Sequence, residues 1–443
     1  MNRNRIAQSY ANLGKIAISI RPLSDDKVGR TDMTMDDMPH CQLYIPQPKA
    51  RPGELPDFGH LRMNAAGAVP RPDPMAGEVD LRDFPFQLIR VLDDAGSANG
   101  PWDPRLPSDQ LRAGLEAMML TRAFDDRLFR AHRQGKTSFY MKSTGEEACA
   151  VAPSLVLRPT DMCFPTYRVL GWLIARGYPL VDLCNQIFSN AHDPLRGRQL
   201  PILYSARDYG FYSLSGNVGS RFGHAVGWAM ACAYKGRDEV AIAYIGEGTT
   251  AEGDFHEALT FASVYRAPAV LCVTNNQWAI SSFSGIAGAE TTTFAAKALG
   301  YGIPGLLVDG NDFLAVWGAI SWAAERARQG LGATLIELFT YRAAGHSTSD
   351  DPTQYRPADE PEHWPLGDPV ERLREHLIGL GDWDQQRDAQ LAAELDHRVK
   401  IAVRAAEAVG TLGNSKPPVG EMFEGVFSTP DWRLLEQRRE LGV

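Results

Sequence analysis

The chain is poor in cysteine, and its thiols show no pattern. Cys41, Cys149, Cys163, Cys184, Cys232 and Cys272 are scattered singly over 443 residues, and no two form a CxxC pair. That argues against a disulfide framework and for buried, reduced thiols in a cytosol-like compartment. No apolar run approaches the length of a membrane span, so no membrane partner is expected. No basic run is long and the net charge is −9, so nucleic acid and anionic membrane surfaces are excluded as main partners. A local site can still take an anionic small ligand. Internal repeats and low-complexity tracts are lacking too. What remains is ordinary globular composition, 44% hydrophobic and 22% charged, in a chain long enough for two or three units or one large α/β domain with appendages.

Residues 1–37 form a separate extension. Arg3, Arg5, Lys15 and Arg21 precede the first acid, Asp25, which is transit-peptide chemistry. No secretory apolar core with a small-residue cleavage site accompanies them. A disordered extension, or a start at Met33 or Met38, explains the segment equally well. The expected location is cytoplasmic, as in bacteria, or the mitochondrial matrix if the extension is a transit peptide.

Residues 38–107 are rich in proline and glycine, as in "IPQPKARPGELPDF" and "VPRPDPMAGE", with short apolar pieces such as "FQLIRVL". They read as an extended arm that needs another surface to lie on. From Ser108, which reads as an N-cap, Leu111, Leu115, Met118, Met119, Phe124 and Leu128 recur at three- and four-residue spacing and predict a helix. Short apolar runs then alternate with helical patterns. "EVAIAYIG", "AVLCVTNN", "GLLVDGND" and "TLIELFTYR" read as strands buried on both faces, with helices at 252–266 and 313–329 among them. The expected fold is α/β, a parallel sheet with helices on both faces, in a domain spanning 108–350. A polar stretch and a charged helix at about 384–409 make up the C-terminal region, 351–443.

Within that domain an apolar strand delivers Gly246-Glu247-Gly248 to its tip. The next strand ends in Asn275-Asn276, 26 residues on. One βαβ unit separates the two tips, and a right-handed crossover puts both on one rim, where open α/β sheets bind ligands. If the strands are neighbours, Glu247 and Asn276 aim oxygens at one point. With the Trp278 backbone carbonyl they suit Mg²⁺, which takes a few protein oxygens and leaves room for phosphate. The glycines let the backbone approach phosphates closely, and the following helix N-terminus favours negative charge. Alone, a GxG or an NN pair is more often structural; the pairing at this spacing carries the signal.

GEG-x26-NN resembles the thiamine diphosphate motif. The flanking "SFYMKSTGEEA", "FPTYR", "GRQLP", "GNDFLAV" and "YRAAGHSTSDDPTQYR" resemble the α subunit of the decarboxylating component of 2-oxo acid dehydrogenases, most nearly the branched-chain type. The resemblance runs from about residue 40 to the C-terminus and is most specific over 134–356. It implies the thiamine diphosphate-binding fold, with Mg²⁺ on Glu247, Asn276 and Trp278. It further implies cofactor contacts from Tyr167, Arg168, Gly216, Val218, Gly246, Glu247, Gly248, Thr249, Asn276 and His346. Tyr167 and His346 take catalytic roles in this reading; Arg342 adds positive charge, and titration near neutrality suits His346 to proton transfer. Ser215, Asn217 and Ser220 resemble a monovalent-cation site for K⁺, and Ser347 matches a serine phosphorylated in mitochondrial relatives.

The same resemblance implies partners: a β subunit in a heterotetramer of two α and two β chains, a lipoylated acyltransferase core, and a small 2-oxo acid. The implied activity is decarboxylation of 3-methyl-2-oxobutanoate with acyl transfer to the lipoyl group. A pyruvate or acetoin dehydrogenase α subunit is the alternative within the enzyme class; a noncatalytic, Mg-dependent phosphate-binding regulator is the alternative outside it. Three departures stand out. Glu247 replaces the commoner Asp, as in branched-chain members. Thr274 stands where some relatives carry a diphosphate-binding Arg. Arg221 replaces a residue usually uncharged.

Overall fold

The computed structural model describes residues 43–412, 418–425 and 427–443; the extension 1–37 and its targeting reading lie outside the described residues. The chain divides into two units, Met1–Ile45 and Pro46–Val443, and the sheet belongs to the second. Its strands are β1 (Leu88–Ile89), β2 (Met162–Phe164), β3 (Ala241–Gly246), β4 (Ala269–Asn275), β5 (Trp278–Ala279), β6 (Ser282–Phe283), β7 (Gly305–Asp309) and β8 (Thr334–Phe339). The helices are α1 (Ser108–Arg133), α2 (Glu147–Val156), α3 (Leu170–Ala175), α4 (Leu180–Ile187), α5 (Ser220–Tyr234), α6 (Gly253–Val264), α7 (Phe313–Arg328), α8 (Pro369–Gly379), α9 (Gln385–Val409) and α10 (Trp432–Glu440). Six strands form one parallel sheet in the order β1-β7-β8-β4-β3-β2, while β5 and β6 make a small antiparallel hairpin.

The unbroken apolar runs follow from this arrangement. Along β3, Ile242 and Tyr244 enter one core while Ala241, Ala243 and Ile245 enter the other; β4 divides likewise. Alternate side chains of a strand point to opposite faces, so a strand covered on both is apolar throughout. α5 and α6 cover one face through Phe222, Ala225, Phe255 and Leu259. α1, α2, α3 and α7 cover the other through Leu115, Val151, Trp172 and Trp322. The helices expected at 252–266, 313–329 and 384–409 are α6, α7 and α9. Among the described residues, no helix is long and apolar enough to cross a membrane. Cys149, Cys163, Cys184, Cys232 and Cys272 are buried and free.

Two sequence expectations need correction. Ser108 is not the N-cap of α1: Pro107 holds that position in extended backbone, with no side-chain cap bond. The Ser108 hydroxyl is instead bonded to the carboxylate of Asp382, a partner 274 residues away that no local pattern reveals. The arm also contributes more than a covering. Leu88 and Ile89 from "FQLIRVL" extend the sheet as its edge strand β1, opposite Leu307 and Val308.

Residues 72–76 of the arm are held on α7, and their prolines explain how. Proline has no N–H, so its segment offers mainly carbonyls. Side chains supply the donors: Trp322 Nε1 to the Pro72 carbonyl at 2.9 Å, and Arg326 Nη1 to the carbonyls of Pro74 and Ala76 at 2.6 and 2.8 Å. Asp312 ties these layers together. One oxygen caps α7 by accepting from the Leu314 and Ala315 N–H groups, both at 3.0 Å. The other accepts from Val91 and Leu92 in the arm, at 2.8 and 2.6 Å, and faces Arg372 of α8 at 3.4 Å. Replacing Asp312 by Ala leaves four N–H groups without their acceptor. The expected loss is about 3–5 kcal/mol in urea denaturation; a loss below about 1 kcal/mol would contradict this role.

Candidate active site

β3 and β4 run side by side with Gly246 opposite Thr274, so the chain leaves both strands at one rim. β3 passes at once into a short 3-10 turn, Glu247–Ala251, and Asn276 follows the last residue of β4. The backbone N–H of Asn276 reaches the Glu247 carboxylate. A third segment joins them beyond β8: Thr340 N–H donates to the Asn275 carbonyl at 2.9 Å, and Arg342 N–H to the Asn276 carbonyl at 3.2 Å. A Cβ on Gly248 would come within 2.7 Å of the Ala279 Cβ, so a side chain there would push the turn off the β5–β6 hairpin. At Gly246 and Gly216 a Cβ would meet nothing within 4 Å; these two glycines leave space open. Thr249 is buried in the same turn, and Thr250 braces it by donating to the Glu247 carbonyl at 2.8 Å.

Glu247 is 1% exposed, and its Oε1 has no hydrogen-bond partner among the described residues. Burial pushes its pKa up to about 7; the backbone N–H groups and Arg342 oppose the rise, and Glu146 adds to it. An acid held this way favours either a proton or a cation. Glu146, also buried, accepts from Asn276 Nδ2 at 2.8 Å and faces Arg168 Nε at 3.5 Å. An amide nitrogen only donates, so this bond fixes the flip of the carboxamide and leaves Oδ1 as the acceptor on its other side. Oδ1 receives only a long contact from the Trp278 N–H, 3.3 Å. The Trp278 carbonyl accepts from Arg342 Nη1 at 2.9 Å.

Two guanidiniums close the rim. Arg342 spans from the Trp278 carbonyl to the Tyr355 hydroxyl, 2.6 Å from its Nη2. Arg168 is bonded to the Lys142 carbonyl and donates to the His346 carbonyl at 2.7 Å. Both approach the His346 ring: Arg168 Nη2 lies 3.2 Å and Arg342 Nη1 3.5 Å from Nδ1. A guanidinium only donates, so Nδ1 accepts and the ring proton resides on Nε2. Burial, then Arg168 and Arg342, push the His346 pKa down to about 3. The titration near neutrality expected from its residue type is therefore absent, because two fixed positive charges disfavour an imidazolium. Tyr167 is half-buried and meets the His346 ring edge-on at 5.9 Å.

Sequence reasoning missed part of this cluster. Glu146 stands in the quoted "TGEEA", yet its partners, Arg168 and Asn276, are 22 and 130 residues away. Its only local signal is a doubled acid at the head of an apolar helix. Asp350 was missed too; it accepts from the His346 N–H at 2.6 Å and the Tyr355 hydroxyl at 2.7 Å. Ser347 is 7% exposed, with its hydroxyl 3.0 Å from that of Ser349. On the loop before α5, Gly216 and Asn217 are exposed and Val218 half-buried. Two of that loop's carbonyls, Ser215 and Val218, accept from Arg221 at 2.8 and 2.9 Å. Thr274 lies inside β4, between Gly246 and Leu338.

Fold and rim together define a class, an α/β protein that gathers buried charge at the carboxyl ends of a parallel sheet. Residues 115–414 match the family described as Dehydrogenase E1 component, and residues 39–77 match 2-oxoisovalerate dehydrogenase E1 alpha subunit N terminal. The chain belongs to the dehydrogenase E1 component family. It is 53% identical to the 2-oxoisovalerate dehydrogenase subunit alpha of Pseudomonas aeruginosa, over 92% of this chain and 100% of that one. It is 38% identical to the 3-methyl-2-oxobutanoate dehydrogenase subunit alpha of Mycobacterium tuberculosis, over 84% and 96%. It is 37% identical to the pyruvate dehydrogenase E1 component subunit alpha of Staphylococcus epidermidis, over 80% and 92%.

The raised Glu247 pKa makes a signed prediction. A carboxyl whose folded-state pKa exceeds its unfolded value stabilises most below the unfolded value, 4.5, and that contribution is lost as pH rises through about 7. Glu247→Gln removes this dependence. In metal-free protein the variant should gain on the wild type between pH 5 and pH 8 by up to about 3 kcal/mol in urea denaturation. A constant difference across that range would show that Glu247 does not titrate there.

Proposed function

We propose that the chain is the α subunit of the decarboxylating component of a branched-chain 2-oxo acid dehydrogenase. Its substrate is 3-methyl-2-oxobutanoate, and the 2-methylpropanoyl group passes to the lipoyl group of an acyltransferase core. The observation that carries the site assignment is the buried, unpartnered Oε1 of Glu247 beside Asn276. When bound, thiamine diphosphate supplies the electron sink for loss of CO₂. Glu247 and the Asn276 carboxamide oxygen are hard oxygen donors suited to the Mg²⁺ that would hold its diphosphate; the Trp278 carbonyl already accepts from Arg342 Nη1 at 2.9 Å and would have to share its second lone pair with the ion. Gly246, Gly248 and Thr249 border the turn where the phosphates approach. Arg168 presents a planar fork suited to phosphate oxygens. Gly216 and Val218 would support the cofactor from the loop before α5, and Tyr167, beside His346, would pack against it.

His346 acts as a neutral donor in this reading. Its Nε2–H is fixed by the guanidiniums at Nδ1 and offers a hydrogen bond where negative charge develops on the reacting oxygen. Glu146 is a positioning residue: it holds the Asn276 amide so that the oxygen faces the cation. Phosphate on Ser347 would set negative charge one residue from His346 and against the groups that receive the diphosphate.

Identity alone separates the substrate classes poorly, since relatives named for 3-methyl-2-oxobutanoate and for pyruvate stand at 38% and 37%. The 53% relative and the N-terminal match over 39–77 favour the branched-chain acid. Relatives named as dehydrogenase subunits also tell against a noncatalytic phosphate-binding regulator. The partner is a β subunit, in a heterotetramer of two α and two β chains. Exposed apolar residues on α5 and at the end of α6 suit such a neighbour: Tyr234 is 92% exposed, and Phe261 of α6 stacks on Tyr265 at 5.7 Å. The assembly works in the cytoplasm, in keeping with the free buried thiols.

Co-expression with the β subunit encoded in the same genome tests the assignment. The chain alone should show no decarboxylation. The pair should turn over 3-methyl-2-oxobutanoate at least about tenfold faster than pyruvate, as far as differential pocket contacts allow. A preference for pyruvate would overturn the substrate, and activity without a partner would overturn the subunit reading. In the same pair, His346→Ala should lower kcat by about 100-fold or more while cofactor affinity changes little. Equal losses in both would remove His346 from the reacting centre.

A further inference from the structure

The loop before α5 brings several oxygens together. Asn217 N–H donates to Ser215 Oγ at 3.1 Å, and Ser220 Oγ lies 3.1 Å from Ser215 Oγ and 2.8 Å from the Asn217 carbonyl. The Ser215 and Val218 carbonyls point at the same side chain, Arg221, whose Nη2 and Nη1 donate to them at 2.8 and 2.9 Å. Arg221 is 3% exposed and makes no ion pair among the described residues; Tyr167 and Glu252 are the groups that favour its charge. Main-chain carbonyls hold two nitrogens of this buried guanidinium, Nε has no partner among the described residues, and no carboxylate fork holds the group, an unusual use of charge.

We infer that Arg221 is a built-in cation for this loop and that it replaces the monovalent ion expected on Ser215, Asn217 and Ser220. The residues present do not fit K⁺. An ion drawn to the same carbonyls would sit beside a full positive charge, and like charges at that distance repel. The tethered group gives the carbonyls the same electrostatic partner. It has no dissociation constant, so the order of the loop does not vary with salt identity as it would for a bound ion. Through the Ser215 and Val218 carbonyls Arg221 orders the loop that carries Gly216. It is a positioning residue and touches no reacting atom.

The test is thermal unfolding of the full chain with its β subunit, without thiamine diphosphate, in KCl, NaCl or choline chloride at about 0.1 M each. Leaving out the coenzyme lets the result stand or fall apart from the function proposed above. For the wild type, melting temperatures in the three salts should agree within about 1 °C. A K⁺-specific rise of more than about 3 °C would overturn the inference. Arg221→Gln should melt lower in choline than the wild type and regain about 3 °C or more with K⁺. A folded Arg221→Gln protein indifferent to K⁺ would show that the loop is no cation site. Arg221→Lys, which keeps a charge, should respond less to K⁺ than Arg221→Gln; the reverse order counts against the inference. If Arg221→Gln does not fold, the wild-type comparison decides alone.

Discussion

A buried carboxylate with one unpaired oxygen is costly to maintain, and the register of two strands maintains it here. Gly246 lies opposite Thr274, so Glu247 and Asn276 emerge together, and the Asn276 N–H supports the carboxylate that burial penalises. A slip of one residue would exchange the two faces of β3 and turn the tip away. The apolar alternation that fills both cores therefore also aims the acid. Packing and function draw on the same register, and neither can shift without the other.

Around that acid, the state of each group is set by its neighbours more than by its own chemistry. Glu146 and Glu247 are both pushed up by burial, and Arg168 and Arg342 pull against the rise. The same two guanidiniums hold His346 neutral and fix its tautomer. Asn276 is oriented by Glu146. Such a network concentrates charge at low dielectric, where each member matters more than on the surface. A preorganised set of donors and acceptors of this kind stabilises charge without reorganising when it appears.

Support for the rim comes from distant segments. Asp312 links the arm, α7 and α8 through one carboxylate. The proline-rich arm finds its donors on Trp322 and Arg326 of α7. β1 closes the sheet edge beside β7. The loop before α5 is tied to its helix by Arg221 as well as by bonds within the loop. Apart from the β1 pairing, a side chain in or at the start of a helix orders a segment that has little regular structure.

Much of this was legible in the residue order. Continuous apolar runs separated by helical patterns predicted a parallel sheet covered on both faces, because burial on two sides disfavours polar residues at every position of a strand. The spacing of Gly246-Glu247-Gly248 and Asn275-Asn276 predicted their meeting, because one βαβ unit returns the chain to the same rim. Capping at Asp312 and Asp384 is local and readable for the same reason, since the acceptor and the donors are a few residues apart. Only the tertiary structure assigned Ser108 to Asp382, Glu146 to Asn276 and Arg168, and Leu88–Ile89 to the sheet. It alone showed that His346 is held neutral and that Arg221 occupies its loop's carbonyls. Periodicity and spacing report what a segment buries and where it turns. Pairings across a hundred or more residues, and the electrostatic state they impose, exist only once the chain is packed.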